Sequence, residues 1–207
     1  TTGVSGMLSF TSGTTSSGAS GSMTIATGAA TNGKGGDIIL SVGSGDTIDG
    51  GHVSISTGRS TDLTGGSMSL FTRQGTERSS GSIVVQTANA GTTGISGYLS
   101  FSTGTTSSGD SGLISVVTGS ATNGKGGSII TSVGAGTTGN GGDIVFSAGE
   151  TTAANNVGGK ITFTAGLGSS ATNGQGGYMS FTGGDGTSGT GGSISLTTGE
   201  GTVTSSG

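Results

Sequence analysis

Residues 96–109 read SGYLSFSTGTTSSG, and residues 5–18 read SGMLSFTSGTTSSG. Each stretch begins with a small residue and a glycine, continues with alternating apolar residues, and ends in a run of Ser, Thr and Gly. The same order recurs along the whole chain of 207 residues. Internal repeats of this length indicate a repeat architecture, in which neighbouring repeats complete a fold that one repeat cannot form.

We call the glycine that precedes each apolar stretch the marker glycine. Marker glycines lie at Gly6, Gly21, Gly36, Gly51, Gly66, Gly81, Gly97, Gly112, Gly127, Gly142, Gly159, Gly177 and Gly192. Nine of the twelve intervals are 15 residues, and the others are 16, 17 and 18. A second period of 91 residues lies over the first, since GAATNGKGG at 28–36 matches GSATNGKGG at 119–127. We therefore predict one repeat array over 1–207, a segment of a longer array, with blocks of about 6–96 and 97–207.

Apolar residues occupy two columns after the marker glycine. The first column holds Leu8, Met23, Ile38, Val53, Met68, Ile83, Leu99, Ile114, Ile129, Ile144, Ile161, Met179 and Ile194. The second column, two residues further on, holds Phe10, Ile25, Leu40, Ile55, Leu70, Val85, Phe101, Val116, Thr131, Phe146, Phe163, Phe181 and Leu196. Alternation with a period of two is typical of a strand with one buried face. We expect both columns to be buried, so that Phe146→Ala costs ~3–5 kcal/mol as a large-to-small core substitution.

The predicted fold class is all-β, a parallel β-solenoid of about thirteen 15-residue coils. A single repeat cannot offset the entropy of ordering its own backbone, so stacking in a continuous ladder has to stabilise the array. A small residue always lies nine positions after the marker, as at Thr15 and Gly75, and we interpret this column as facing inward against the apolar ones. Pairing of two repeats into 30-residue coils is the alternative. We favour 15 residues per coil, because alternate repeats do not differ.

The composition excludes an ordinary globular core. Gly contributes 50 residues, Pro and Cys are absent, and charged residues are 8% of the sequence, against roughly 25% in typical domains. A disordered Gly/Ser polymer is the alternative, but the net charge of −4 and the regular apolar spacing argue against it. The sequence is mildly acidic and has no long apolar run, so we expect neither a nucleic-acid partner nor a membrane span.

Catalytic chemistry is not indicated, and we expect no enzymatic activity and no cofactor or metal site. His52 is the only histidine, and the ten Asp and Glu residues are scattered along the sequence. Asp46 and Asp49 could bind a hard cation, but solvated carboxylates in a turn are the simpler interpretation. Enzymes need polar groups that converge on one site. The rows of Ser and Thr permit O-linked glycans, although composition alone does not require them.

Apolar residues also occur at outward positions, and Val117, Ile130 and Val145 lie at such positions in three consecutive repeats. On the predicted sheet these side chains stack at ~4.8 Å steps. Contiguous exposed apolar surface usually marks an interface, so we predict a lateral interface there. The alternative is that isolated Val and Ile residues are tolerated for their β-propensity. Uncapped solenoid ends would in addition associate end to end.

LSFSTGTTSSG at 99–109, TGSATNGKGG at 118–127 and GGDIVFSAGETTA at 141–153 are the most distinctive blocks. They resemble Gly/Ser/Thr-rich tandem repeats of large secreted or cell-surface proteins from diatoms and other algae. That resemblance implies an extracellular or cell-surface location and a structural role in a fibre or surface assembly.

The sequence leaves two other functions open. An ice-binding solenoid would present regular Thr pairs, and only Thr162 and Thr164 form one. An adhesin or carbohydrate-binding module would present an aromatic row, and only Tyr98 and Tyr178 lie outward at the start of an apolar stretch.

Overall fold

The computed structural model describes residues 5–47 and 49–200. The protein divides into two compact units, Thr1–Phe101 and Ser102–Gly207. No α-helix and no β-strand is present in the described ranges. The predicted β-solenoid is therefore wrong, for 15-residue and 30-residue coils alike. Likewise, no helix among the described residues has the length and apolar character that a membrane crossing requires.

The backbone instead alternates between apolar segments and loops. An apolar segment runs from a marker glycine to the sixth residue after it, and a loop connects it to the next marker glycine. Each of the twelve loops contains one bend or turn. In most loops this bend ends three residues before the next marker, as at 16–18, 31–33, 61–63, 92–94, 107–109 and 122–124. Local structure thus recurs with the 15-residue period of the sequence.

Each loop closes where the last residue of an apolar segment meets the next marker glycine. A Cβ atom built on Gly51 would lie 2.6 Å from Val42 Cγ1, and one on Gly142 would lie 2.9 Å from Val133 Cγ1. The same approach, at 3.2 to 3.9 Å, occurs at the other ten closures, at Gly21, Gly36, Gly66, Gly81, Gly97, Gly112, Gly127, Gly159, Gly177 and Gly192. A larger residue would collide with the preceding segment at Gly51 and Gly142, whereas at markers such as Gly21 a Cβ would make an ordinary contact.

Hydrogen bonds secure these closures in two ways. In some loops a threonine hydroxyl donates to the carbonyl of the marker glycine, as from Thr27 to Gly36 at 3.0 Å and from Thr87 to Gly97 at 3.1 Å. In others the marker amide donates to the residue after the apolar segment, at 2.8 or 2.9 Å, at Gly66, Gly159, Gly177 and Gly192. Both arrangements span a single loop and tie its start to the marker glycine that follows it.

The 91-residue period is also visible in the local geometry. Thr15 donates its hydroxyl to Ser17 O at 2.8 Å, and Thr106 donates to Ser108 O at 2.9 Å. The closing bond of Thr27 likewise recurs at Thr118, which donates to Gly127 O at 3.2 Å. Matching sequences in the two compact units therefore adopt matching loop conformations.

The two apolar columns are exposed, which contradicts the predicted core. No residue among those described is buried, and Phe101, Phe146 and Phe163 are 71%, 64% and 57% exposed. The predicted register of a buried core is wrong, and the 3–5 kcal/mol expected for Phe146→Ala does not apply to a side chain in this position. The alternation itself persists in weaker form, since Ile144 is 47% exposed and the adjacent Val145 is 80% exposed.

The physical reason lies in where the backbone hydrogen bonds go. Within the described ranges, every backbone–backbone hydrogen bond lies inside one loop or closes that loop on the next marker glycine, and none forms a ladder between successive apolar segments. A parallel ladder would require ordering many glycines, whose conformational entropy loss on folding is the largest of any residue. Closing a loop of about ten residues orders fewer backbone residues for each contact than forming such a ladder does.

The column of small residues also differs from its predicted role. Its hydroxyl members bond within their own loops, as Ser60 does by accepting from the Leu63 amide at 2.9 Å. A Cβ on Gly75 would lie 2.6 Å from Ser79 O, and one on Gly186 would lie 2.7 Å from Thr190 O. These members of the column therefore face the backbone of their own loops, and the predicted packing against the apolar columns is wrong.

Replacing Thr27 or Thr118 with valine tests the contribution of the hydroxyl closure. Valine is compatible with the position, because Val42 and Val133 occupy it in other repeats. We expect each substitution to weaken closure by about 0.5–1.5 kcal/mol, the net value of one hydrogen bond. The measurement is the intensity of nuclear Overhauser effects between residue 27 and Gly36. Thr27→Ser retains the hydroxyl and should retain the contact, and an equal loss in both variants would contradict the hydroxyl's role.

Candidate interaction surface

The predicted lateral interface lies on three apolar segments of the second compact unit. Val117, Ile130 and Val145 are 82%, 84% and 80% exposed. They are available for contact, but no ladder joins their segments among the described residues. The sheet spacing from which the lateral interface was predicted is therefore absent. An interface at these residues stays a prediction.

Side chains from different repeats do meet at one open cavity of the same unit. Its volume is about 740 Å³, and Ile129, Phe163 and Met179 of the two apolar columns line it together with Thr162, Thr164 and Tyr178. A smaller cavity of about 310 Å³ in the first unit is lined by Phe10, Met23, Thr24 and Ile25. Both cavities thus bring together apolar residues from separate repeats but leave them open to solvent.

Aromatic contacts occur both between consecutive repeats and within one repeat. The rings of Phe146 and Phe163 meet edge to face with centroids 6.2 Å apart, a geometry that aromatic pairs prefer. In the first unit, the Arg73 guanidinium lies 5.4 Å from the centroid of the Phe71 ring, within the range of a cation–π interaction. These contacts position aromatic side chains without covering them.

Charged groups do not converge on any site that the structure describes. No group of three or more His, Cys, Asp or Glu residues could hold a metal ion in the described ranges. Lys34 Nζ lies 2.9 Å from Asp37 Oδ2, and both side chains are largely exposed. The 91-residue period does not preserve this pair, because position 128 is a serine whereas Lys125 matches Lys34. An isolated exposed ion pair contributes little to stability.

The total exposed surface is large for a protein of this mass. It is 20661 Å² at 19.2 kDa. A compact monomer of that mass would expose about 8,400 Å², and a fully extended polypeptide about 28,000 Å², by the usual scaling with mass. A compact domain of this mass would remove a large area from water when it folds. A single copy of this protein removes only a minor part of that area.

Comparison with known proteins gives no relative for this chain. No family model, no curated protein and no solved structure matches it.

The loop closures were not predicted from the sequence, although a signal for them was present. The residue six positions after the marker is Ser, Thr, Val, Ala or Gly in every repeat, and the next marker is always glycine. Small residues at two positions that are nine to twelve residues apart are compatible with close approach of the backbone. That pairing indicates a closed loop as readily as it indicates a turn of a solenoid.

Proposed function

We propose that this chain is a non-enzymatic structural repeat protein that self-associates in an extracellular fibre or cell-surface assembly. The single observation that carries the proposal is the absence of any buried residue in the described ranges. Exposed apolar side chains at regular intervals favour association, because apolar surface gains about 25 cal/mol per Å² when it leaves water. Charged residues that would oppose association are only 8% of the sequence.

Copies of the same protein are the partner that the repeat pattern favours. A surface that repeats every 15 residues meets an identical surface on a second copy in many equivalent registers. Side-by-side contact through Val117, Ile130 and Val145 is the arrangement we propose, since each of them is at least 80% exposed. End-to-end association and O-linked glycans on the exposed Ser and Thr residues remain predictions from the sequence.

The proposal is tested by replacing Val117, Ile130 and Val145 with serine together. Burial of each side chain contributes ~1.5–3 kcal/mol, so we expect the association constant to fall by at least about a hundredfold, at about 1.4 kcal/mol for each factor of ten. Sedimentation velocity over a range of concentrations measures the association. Negative-stain microscopy of the wild-type protein shows whether the product is a filament.

A matched control removes a similar amount of apolar side chain from loops. Leu63, Val157 and Leu167 are 86%, 93% and 89% exposed and lie outside the apolar segments. Their replacement by serine should leave association close to that of the wild type. Equal losses in both triple variants would show a nonspecific effect, and a wild-type protein that stays monomeric at high concentration would contradict the proposal.

A further inference from the structure

Four loops contain an asparagine followed directly by a glycine. These are Asn32–Gly33, Asn123–Gly124, Asn140–Gly141 and Asn173–Gly174. All eight residues are exposed. Three of the pairs share the sequence Ala-Thr-Asn-Gly, at 30–33, 121–124 and 171–174. The residues next to the asparagine are therefore the same at these three sites, so a difference in their chemical reactivity has to come from structure.

An Asn–Gly bond can modify itself without an enzyme. The glycine amide nitrogen attacks the Cγ carbonyl carbon of asparagine, so that a new bond forms between these two atoms and the bond from Cγ to Nδ2 breaks. The glycine nitrogen loses its proton, Nδ2 gains one and leaves as ammonia, and the ring that remains is a succinimide. Water then opens the ring to aspartate or isoaspartate, which replaces a neutral amide with a carboxylate. Glycine offers the least steric hindrance because it has no Cβ.

The loops around Asn32, Asn123 and Asn140 leave room for this reaction. A Cβ built on Gly33, Gly124 or Gly141 would meet nothing within 4 Å, so the glycine can move toward the asparagine amide. The three asparagines have negative φ. Within the described ranges, no hydrogen bond restrains their side-chain amides, whereas the amide of Asn156 donates to Ala154 O at 3.4 Å.

The loop around Asn173 is constrained, although its local sequence is the same. Asn173 has φ of 55° in a turn over 171–173. Ser170 donates its hydroxyl to Thr172 O at 2.8 Å and accepts from the Thr172 amide at 3.3 Å. A Cβ on Gly174 would lie 2.7 Å from both the N and the O of Ser170. Gly174 therefore cannot swing toward the amide of Asn173 until this turn opens.

We propose that Asn32, Asn123 and Asn140 are sites of spontaneous deamidation, and that the turn at 171–173 protects Asn173. Conversion of the three open sites would change the net charge from −4 to −7, one negative charge for each site. The inference stands apart from the proposed function, because it rests on single loops and does not require association between copies.

Peptide mapping of the purified protein after incubation in neutral buffer tests this proposal. Trypsin cleavage after Lys34, Arg78, Lys125 and Lys160 places the four sites in separate peptides, at 1–34, 79–125, 126–160 and 161–207. Mass spectrometry then follows aspartate and isoaspartate at each site, with fragmentation to distinguish Asn89, Asn155 and Asn156. We expect Asn32 and Asn123 to deamidate at least about five times as fast as Asn173. That is the factor expected when one hydrogen bond must break first.

Two variants and one solvent condition separate the effect of structure on the deamidation rate from the effect of the local sequence. Gln175→Lys makes residues 171–177 identical to 30–36 and 121–127, and Asn173 should remain the slower site. Gly33→Ala should slow the reaction at Asn32 while Asn123 reacts unchanged in the same molecule. In concentrated urea the rates at Asn32, Asn123 and Asn173 should converge. Equal rates in the native protein, or a difference that persists in urea, would overturn the proposal.

Discussion

Replacing Gly168 with alanine should open the longest loop of the array. A Cβ on Gly168 would lie 2.5 Å from the Gln175 carbonyl carbon and 2.8 Å from its amide nitrogen. Because both atoms belong to the backbone, rotation of a side chain cannot relieve the collision. We expect a destabilisation of about 1–3 kcal/mol, as is typical of overpacking. The Gly177 amide, which donates to Gly166 O at 2.9 Å, should exchange with solvent at the rate of an unprotected amide.

Gly166→Ala is the matched control for this prediction. Gly166 lies in the same loop, but a Cβ there would meet nothing within 4 Å. Hydrogen exchange at the Gly177 amide should remain as in the wild type. If both variants lose protection equally, the closure does not depend on the approach of Gly168 to Gln175.

Sulfate should strongly promote association between copies, whereas sodium chloride at the same ionic strength should promote it much less. Sulfate is excluded from protein surfaces and so strengthens the burial of apolar groups. All of the described apolar side chains in the two columns are exposed, and they would dominate the response. We expect the association constant to rise more than about tenfold in sulfate, which corresponds to about 1.4 kcal/mol. Light scattering at constant protein concentration measures the change.

Sodium chloride distinguishes this mechanism from one based on charge. Exposed charges are screened beyond a Debye length of about 8 Å at physiological salt, and the exposed Lys34–Asp37 pair lies at the junction of two neighbouring repeats of one copy. Assemblies held by charge pairs between copies would therefore dissolve in sodium chloride. Dissolution of that kind would contradict association through apolar surface.

The structure follows the repeat of the sequence most closely in features that depend on a few neighbouring residues. The loops occur between the apolar segments as the 15-residue spacing indicates, and each contains a bend or turn. Thr15 and Thr106 make the same bond 91 residues apart. Both bonds span two residues and lie in the same sequence, Gly-Thr-Thr-Ser-Ser-Gly, at 13–18 and 104–109, so local sequence favours them without reference to more distant residues.

The predicted core failed because burial requires partners from distant parts of the sequence. The alternation of Leu99 and Phe101 indicates which face of a segment is apolar, but it does not provide the surface that covers that face. In the described structure, Leu99 is 53% and Phe101 71% exposed. Neither the lateral interface at Val117, Ile130 and Val145 nor its sheet spacing could be derived from one segment alone.

The sequence by itself determined the period, the positions of the loops and the matching local bonds of the two compact units. Only the tertiary structure decided that loops close on their marker glycines, that successive described segments form no ladder, and that Asn173 adopts a left-handed conformation absent at Asn32 and Asn123. The reason is the range of the interactions. Bends and the hydroxyl bonds inside them depend on residues two or three apart. Closure and burial instead depend on contacts between more distant residues, which must offset the entropy of ordering a glycine-rich polypeptide.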